Sequence, residues 1–592
     1  MIAAGQRRSE GQGAMDSLAD LVARAAERQP TRTALIDAEG TLTALTWAEL
    51  ADRVIRAATA FAALDLVPGD RIALQLGNTV DFPVAFFGAL RAGLTAVPIN
   101  PASTEPELAT VLQDSGARAL VTASVSAIGA AERLGVQRLI VTSSQVPDGA
   151  RGLAELLAAA TDPAPPRHTD LAVLAYTSGT SGTPRGAMLT HRALLANIDQ
   201  CARINPPLLK GDDVLLLMLP LFHVYGLGPG LGMLAHAAAT GVLLDRPEPA
   251  AALDAMAKHR ITSVLGVPTM YAAWLHDAEA GAVAAAFGSV RLALSGAAPL
   301  PPEVADRLRE ITTLHLEQGY GMTETAPVLT CTVGFPAKPG SIGRPVPGVE
   351  LWLRDEDGEP AEDGDPGEIV VRGRNLFEGY WPDAAGGPDD AGWFATGDVA
   401  YQDEDGDLHL VDRRRELIIV GGFNVYPAEV EAVLLTHPGV AEAAVVGAPA
   451  PIRGEAVLAF VVPRRGVAVD AAELLAWCAR SLARFKCPTA IEIVEALPHS
   501  ATGKVRKARL RARAERRVTL LSRADCHLCE VARTDLARIT AELGVPLSEV
   551  DVDSDPELRA EYGDRLPVIL VDGAEHGYWR VEEQRLRRAL TG

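Results

Sequence analysis

From Asp16 to about Arg246, short aliphatic runs alternate with alanine-rich stretches of helical texture; Arg71 to Leu76, Ala96 to Ile99 and Ala119 to Thr122 are examples of the runs. Runs that short and apolar suit strands buried on both faces, and the stretches between them suit crossover helices. The alternation therefore predicts helices covering a largely parallel sheet. The runs Ser263 to Gly266 and Arg291 to Ser295, each followed by a helix-like segment, extend the pattern into one large α/β unit. With 592 residues the chain has room for further domains.

The texture then changes. Near Val349 short strands with acidic turns begin, Leu351 to Leu353 and Glu368 to Arg372, and a hairpin is expected about Asp405-Gly406. After Asp412 an α+β segment follows, with a strand at Leu417 to Val420, a helix at Ala428 to Leu435 and strands near Ala441 to Val446 and Ala456 to Val462. It closes in a basic stretch, Lys504 to Arg517, read as a linker in preference to an acid-binding face. From Arg517 a compact βαβ pattern starts again. The expected division is a disordered extension at 1–14, a large domain with a β-rich subdomain at 15–411, a small α+β domain at 412–511, a linker at 512–516 and a terminal domain at 517–592.

Charge and composition restrict the function classes. With 48% hydrophobic and 22% charged residues the chain is globular, and a net charge of -21 disfavours a broad nucleic-acid surface, leaving phosphate binding to local sites. Val214 to Leu244 carries no Asp, Glu, Lys or Arg, yet Pro220, Pro229, His223, His236 and several glycines make it a buried strand, loop and helix instead of a membrane span. Met1 to Ala14 is polar, with Arg7 and Arg8 and no apolar core, so no secretory signal is expected and the placement is cytoplasmic. Cys201, Cys331, Cys478 and Cys487 are isolated, as expected of reduced buried residues; only Cys526 and Cys529 form a motif.

The loop Tyr176-Thr177-Ser178-Gly179-Thr180-Ser181-Gly182-Thr183-Pro184-Arg185-Gly186 follows the apolar run Leu171 to Ala175. Glycines let backbone N–H groups approach phosphate oxygens and the hydroxyls add donors, whereas no Gly-Lys-Ser/Thr follows, which disfavours a Walker loop. Alone, such a loop is as much a flexible connection as a phosphate cradle. The segments that follow it decide: Ser295-Gly296-Ala297-Ala298-Pro299, Tyr320-Gly321-Met322-Thr323-Glu324, Thr396-Gly397-Asp398, Asp412-Arg413-Arg414-Arg415-Glu416 and Pro498-His499-Ser500-Ala501-Thr502-Gly503-Lys504. In this order, over about Asp16 to Arg511, they resemble the adenylate-forming superfamily of acyl-CoA synthetases, nonribosomal adenylation domains and luciferases.

The resemblance implies a site. Thr177, Ser178, Gly179, Thr180, Ser181, Gly182 and Arg185 would hold the β and γ phosphates of ATP, with Arg185 standing where lysine is usual, a cation of different geometry. Gly296, Ala297 and Ala298 would line the adenine with backbone, and Tyr320, next to Gly321, would stack on it. Thr323 would donate to the α phosphate and Glu324 would hold Mg2+. Asp398 would accept from the ribose hydroxyls, with Arg413 assisting. Lys504 would bridge carboxylate and phosphate oxygens during adenylation, Arg415 would be the hinge on which a mobile lid rotates, and Gly421-Gly422 would border the tunnel for coenzyme A. His223, in Pro220-Leu221-Phe222-His223-Val224-Tyr225-Gly226, would gate the acyl pocket. Outside this context Tyr320 and His223 read as core, Glu324 as a surface charge, Asp398 and Gly421-Gly422 as turns and Lys504 as a solvated side chain.

The chemistry asks no nucleophile of the protein, because the substrate's own carboxylate attacks phosphorus; no Gly-x-Ser-x-Gly elbow occurs. Fixed cations and donors would lower the barrier by positioning and electrostatics. Gly226, Leu227, Gly228 and Gly230, with Val267, Pro268, Thr269 and Met270, suggest an apolar pocket, which favours a fatty acid over a dicarboxylate and leaves an aryl acid open. The rivals are an adenylation enzyme that loads a carrier protein, and a thiol-redox or binding protein on a silent ligase scaffold.

In the terminal domain Arg517 to Ser522 reads as a strand, and Cys526-His527-Leu528-Cys529 opens a helix through Ala541, where N–H groups and dipole stabilise a thiolate. Strands at Ser548 to Val552 and Leu566 to Val571 and a terminal helix follow. This order resembles a small glutaredoxin-like domain of the thioredoxin fold. The resemblance implies that Pro567 is cis and faces the dithiol; regulation of the ligase, action on a thiol partner and a passive fusion all stay open for the domain. Half a zinc site, lacking a second Cys pair, and a degenerate structural domain are the competing readings.

Overall fold

The computed structural model describes residues 17–38, 44–143, 145–178, 184–245, 248–336, 338–355, 357–362, 364–413, 418–420, 423–425, 427–450, 454–482, 486–499, 505–507, 509–511, 518–523, 526–543, 547–554, 559, 562, 565–571 and 574–591. Residues 1–14 and 512–516, the expected extension and linker, lie outside them. The chain divides into two compact units, one of residues 1–396 and 400–410 and the other of 397–399 and 411–592.

In the first unit the alternation of runs and helices holds, and the strands sort into two sheets. One has seven strands, with Arg71–Gln75, Thr95–Pro98, Ala119–Thr122 and Arg138–Val141 parallel to one another and the pair Leu171–Ser178 and Pro184–Thr190 at its edge. The other has thirteen, in which Thr33–Asp37, Val214–Leu217, Thr240–Leu243, Ser263–Gly266, Leu292–Ser295 and Leu316–Gly321 are parallel neighbours. The β-rich segment after Val349 continues this second sheet, joined through Ser341–Pro345, and the turn at Gly406, φ +88°, falls between its last two strands.

Both sheets feed one apolar core, and the helix Asp81–Arg91 is buried on all sides from Phe82 to Leu90 within it. The helix Trp47–Ala62 starts on a capping box: the Glu49 N–H donates to Thr46 Oγ1 at 3.2 Å, and Glu49 Oε2 accepts from the Thr46 N–H at 2.7 Å. Val214 to Leu244 folds as expected into the strand Val214–Leu217, a π-helical turn Gly226–Gly232, the helix Met233–Ala237 and the strand Thr240–Leu243, all largely buried. Among the described residues no helix is long and apolar enough to cross a membrane.

The second unit holds two small sheets. In the first, Gly454–Pro463 lies between the antiparallel Val440–Ala450 and Ile418–Val420, and Ala490–Ile493 pairs with it in parallel. Alternate residues face opposite cores, Val457, Ala459 and Val461 on one side and Leu458 and Phe460 on the other. In the second, Val518–Ser522 is parallel to Leu547–Asp551 and antiparallel to Val568–Val571, which pairs with Ala574–Tyr578; the helices His527–Leu543 and Glu583–Thr591 complete it. This is the expected thioredoxin-like order.

Candidate active site

The expected phosphate loop joins the edge strand Pro184–Thr190 of the seven-stranded sheet to its neighbour Leu171–Ser178, with Tyr176 opposite Gly186, Thr177 opposite Arg185 and Ser178 opposite Pro184. Gly179, Thr180, Ser181 and Gly182 lie outside the described residues, as does the side chain of Ser178. The approach to the loop is fixed. The Tyr176 hydroxyl donates to Asp114 Oδ2 at 2.5 Å, and burial followed by the Asp114 carboxylate pushes its ionisation far above the usual phenol range. A side chain at Gly186 would press on the Tyr176 ring.

Tyr320 and Gly321 end the strand Leu316–Gly321, and a 3-10 turn, Thr323–Thr325, carries Glu324. This hairpin is tight enough to require glycine: a Cβ on Gly321 would lie 1.9 Å from the Pro327 carbonyl oxygen. Two buried amides hold its far side. Asn197 accepts from the Val328 N–H at 3.0 Å and donates to the Val328 carbonyl at 2.7 Å, while Asn375 donates to the Thr325 carbonyl at 2.8 Å. Tyr320 and Thr323 are half-buried. Glu324 is only 6% exposed, so the surface-charge reading fails; its Oε1 accepts from the Tyr380 hydroxyl at 2.6 Å.

Tyr380 belongs to a strap, Phe377-Glu378-Gly379-Tyr380-Trp381, that the sequence reading missed. The Phe377 N–H donates to the Glu324 carbonyl at 2.9 Å, the Glu378 N–H to the Met188 carbonyl at 3.0 Å and the Trp381 N–H to the Gly186 carbonyl at 2.8 Å. The strap thus ties the strand carrying Arg185 to the turn carrying Glu324. The Arg185 guanidinium carbon lies 3.6 Å from the centroid of the Tyr380 ring, and the ring of Phe377 meets Tyr380 edge-on at 5.2 Å. The available sequence signal was three aromatics within five residues, Phe377, Tyr380 and Trp381, around a glycine.

Ser295-Gly296-Ala297 follows a strand parallel to the one ending at Tyr320, so both expected adenine contacts leave the same edge of the sheet. Gly296 is buried, and a Cβ there would come within 3.1 Å of the Tyr225 ring; Ala297 takes φ +69°, and Ala298 is half-buried. Tyr225 ends the His223 motif. His223 is half-buried and its Nδ1 accepts from the Tyr225 N–H at 3.3 Å. The Tyr225 hydroxyl is buried with no hydrogen-bond partner among the described residues, and burial raises its ionisation well above the usual phenol value. A Cβ on Gly228 of the π-helical turn would sit 3.2 Å from Pro327, so this motif abuts the Glu324 hairpin.

In the second unit Asp398 is 6% exposed. The side chain of Arg413, and Arg415, Gly421, Gly422 and Lys504 as a whole, lie outside the described residues. The residues flanking the Lys504 segment are pinned, His499 bridging Val505 and the Arg506 N–H donating to the Pro498 carbonyl at 2.7 Å. In the terminal domain the Cys529 N–H donates to Cys526 Sγ at 3.4 Å, at the start of the helix. Burial and then the Cys526 sulfur push the Cys529 thiol up to about 11. The Leu566–Pro567 bond is cis, and Leu566 packs in one cluster with both cysteines.

Among the described residues no group of three or more His, Cys, Asp or Glu could hold a metal. Glu324 alone suits Mg2+, which takes one or two carboxylates and completes its shell with phosphate and water. One strap thus brings a buried carboxylate and a stacked guanidinium together, groups whose chemistry suits a magnesium-bound phosphate.

Comparison with known proteins agrees. Residues 22–381 match the AMP-binding enzyme family, residues 429–504 the AMP-binding enzyme C-terminal domain and residues 517–591 the glutaredoxin-like domain (DUF836). A long-chain-fatty-acid–CoA ligase of Escherichia coli O157:H7 is 36% identical over 492 residues, covering 77% of this chain and 87% of that protein. A feruloyl-CoA synthase of Amycolatopsis sp is 40% identical over 483 residues, covering 80% and 94%. The ATP-bound crystal structure of MatB from Rhodopseudomonas palustris superposes with a TM-score of 0.75 at 33% identity, covering 83% of this chain and 98% of that one. The chain belongs to the AMP-binding enzyme family, as an AMP-forming acyl-CoA ligase that takes a carboxylic acid, ATP with Mg2+, and coenzyme A, and it carries a glutaredoxin-like domain at its C-terminal end.

Proposed function

We propose that the acid is a medium- or long-chain fatty acid and that the residues named above act as the family resemblance implies. The observation that carries the reading is the buried Glu324 carboxylate, held beside the strand of Arg185. The fatty carboxylate oxygen attacks the α phosphorus and pyrophosphate leaves; the thiol sulfur of coenzyme A then attacks the acyl carbon and AMP leaves. Mg2+ supplies charge neutralisation on the phosphates. Glu324 holds that ion, Arg185 and the 177–182 loop hold the β and γ phosphates, Thr323 donates to the α phosphate, and Gly296, Ala297, Ala298 and Tyr320 enclose the adenine. Asp398 and Arg413 take the ribose, His223 gates the acyl pocket, and Lys504 bridges the reacting anions. The 412–511 domain is the lid that rotates about Arg415 to admit coenzyme A past Gly421-Gly422. In the 517–592 domain Cys526 is the attacking thiol and Cys529 the resolving one.

An aryl acid is the second reading. It is supported by the likeness to a feruloyl-CoA synthase and by the buried, unpartnered Tyr225 hydroxyl, a group that gains from a polar atom on the acid. Release of AMP and pyrophosphate, measured across fatty, aryl and short acids with and without coenzyme A, tests both. Sustained AMP release is expected with medium and long chains and only when coenzyme A is present, whereas the adenylation step alone releases a single equivalent of pyrophosphate; a preference for aryl acids selects the second reading, and sustained AMP release without coenzyme A contradicts the ligase step. Lys504→Ala is expected to abolish adenylation while sparing thioester formation from supplied acyl adenylate, and equal loss of both half-reactions would remove Lys504 from its role.

A further inference from the structure

The strap Phe377–Trp381 offers both faces of its chemistry to the nucleotide site: the hydroxyl of Tyr380 meets Glu324 and its ring meets Arg185. We propose that Tyr380 is a positioning residue for adenylation, a single ring that presents Arg185 to the phosphates and fixes Glu324 for the magnesium ion. The inference rests on the reading that these two charges meet Mg–ATP, and it adds the group that couples them.

Stacking explains the arginine. A guanidinium lies flat on an aromatic face while its N–H donors radiate in its own plane, so the contact with Tyr380 leaves the donor edge available to phosphate oxygens. A lysine ammonium carries all its donors on one atom and has no face to stack. The departure from lysine at position 185 is therefore matched by a partner elsewhere in the chain. On the other side, a phenol donating to a carboxylate at 2.6 Å is a charge-assisted bond; it fixes Glu324 through Oε1, and Oε2 would be the oxygen offered to the cation. The ring is held in turn. The Tyr380 backbone N–H donates to the Ala385 carbonyl at 2.9 Å, Phe377 braces the edge of the ring, and Gly379 beside it takes φ +133° with Ala384 O 2.0 Å from where a Cβ would stand.

Two substitutions separate the two roles in calorimetric titrations of the full-length protein with ATP over a range of Mg2+. Tyr380→Phe keeps the ring and removes the hydroxyl: the Mg2+ concentration needed for half-maximal ATP binding is expected to rise about tenfold. Tyr380→Leu removes the ring: at saturating Mg2+ the Kd for ATP is expected to rise about threefold, and this extra loss should vanish in an Arg185→Met background, where there is no cation over the ring. Thermal midpoints check that each variant is folded, and Tyr380→Phe, which changes one atom, stands as a test if Tyr380→Leu does not fold. Tyr380→Phe matching the wild type at every Mg2+ concentration, together with Tyr380→Leu costing the same in both backgrounds, overturns the proposal while leaving the ligase reading intact. Absence of Mg–ATP binding by the wild type would overturn both.

Discussion

Glu324 and Cys526, to which the proposed function gives the central chemical roles, sit in two regions built on opposite plans. Glu324 is buried and gains its position from segments far apart in sequence: Asn197 and Asn375 hold its hairpin, and the strap carrying Tyr380 holds its carboxylate. Cys526 is half-buried and gains its position locally, from the first turn of one helix and the N–H of Cys529. The difference follows from the role proposed for each region. In acyl adenylation the breaking and forming bonds belong to the substrates, so the protein contributes charge at fixed places, and fixing a charge inside a protein needs many partners. In thiol exchange the protein's own sulfur is the reactant. A hydrogen bond to that sulfur and access to solvent suffice, and a helix start gives both.

The most severe way to break this comparison is to remove the charge without removing the shape. Glu324→Gln keeps the volume and an oxygen that can accept from Tyr380, yet the cation loses its carboxylate. AMP release at saturating acid is expected to fall about 10²- to 10³-fold, with the alkylation rate of Cys526 unchanged. A fall of less than tenfold would mean that Glu324 is a structural residue.

A smaller effect is expected from the strap. Gly379→Ala forces a side chain onto φ +133° and against Ala384 O, so the strap must shift and take Tyr380 with it. Backbone strain of this kind costs about 1–3 kcal/mol, which in a unit this large lowers the thermal midpoint by a few degrees, and the Kd for ATP should weaken along with it. A stable variant with unaltered ATP affinity would show that the strap is not what holds the site.

The same contrast governs what could be read from the chain. Four consecutive residues, Cys526 to Cys529, at the start of an amphipathic helix were enough to expect the dithiol, because its supports are neighbours in sequence. The order of the Ser295, Tyr320 and Thr396 segments was likewise enough to expect, by resemblance, nucleotide contacts from each of them. The supports of Glu324 were not legible. Asn197, Asn375 and Tyr380 act across 50 or more residues, as in the bond between Asn375 and Thr325, and no local pattern marks an amide or a phenol as the partner of a remote turn. The sorting of strands into two sheets was hidden for a related reason. Runs such as Ala96 to Ile99 and Val214 to Leu217 are apolar throughout, which marks burial on both faces but carries no information on which neighbour each strand pairs with.

The smallest effect concerns the dithiol itself and tests whether local support is sufficient. Burial and the nearby Cys526 sulfur raise Cys529 from its ordinary 9.0 to about 11, so at neutral pH it stays protonated and sheltered behind its partner. Its proton is bound more tightly in the folded domain than in the unfolded chain. The resulting stabilisation is complete below about 9 and is lost as the pH rises through about 11. Iodoacetamide on the reduced protein, followed by peptide mass mapping, is expected to give one adduct on Cys526 at pH 7 to 8 and a second, on Cys529, only as the pH nears 11. Equal labelling of both cysteines at pH 7 would mean that the helix start does not discriminate between the two sulfurs, and the division into attacking and resolving thiols would have to be abandoned.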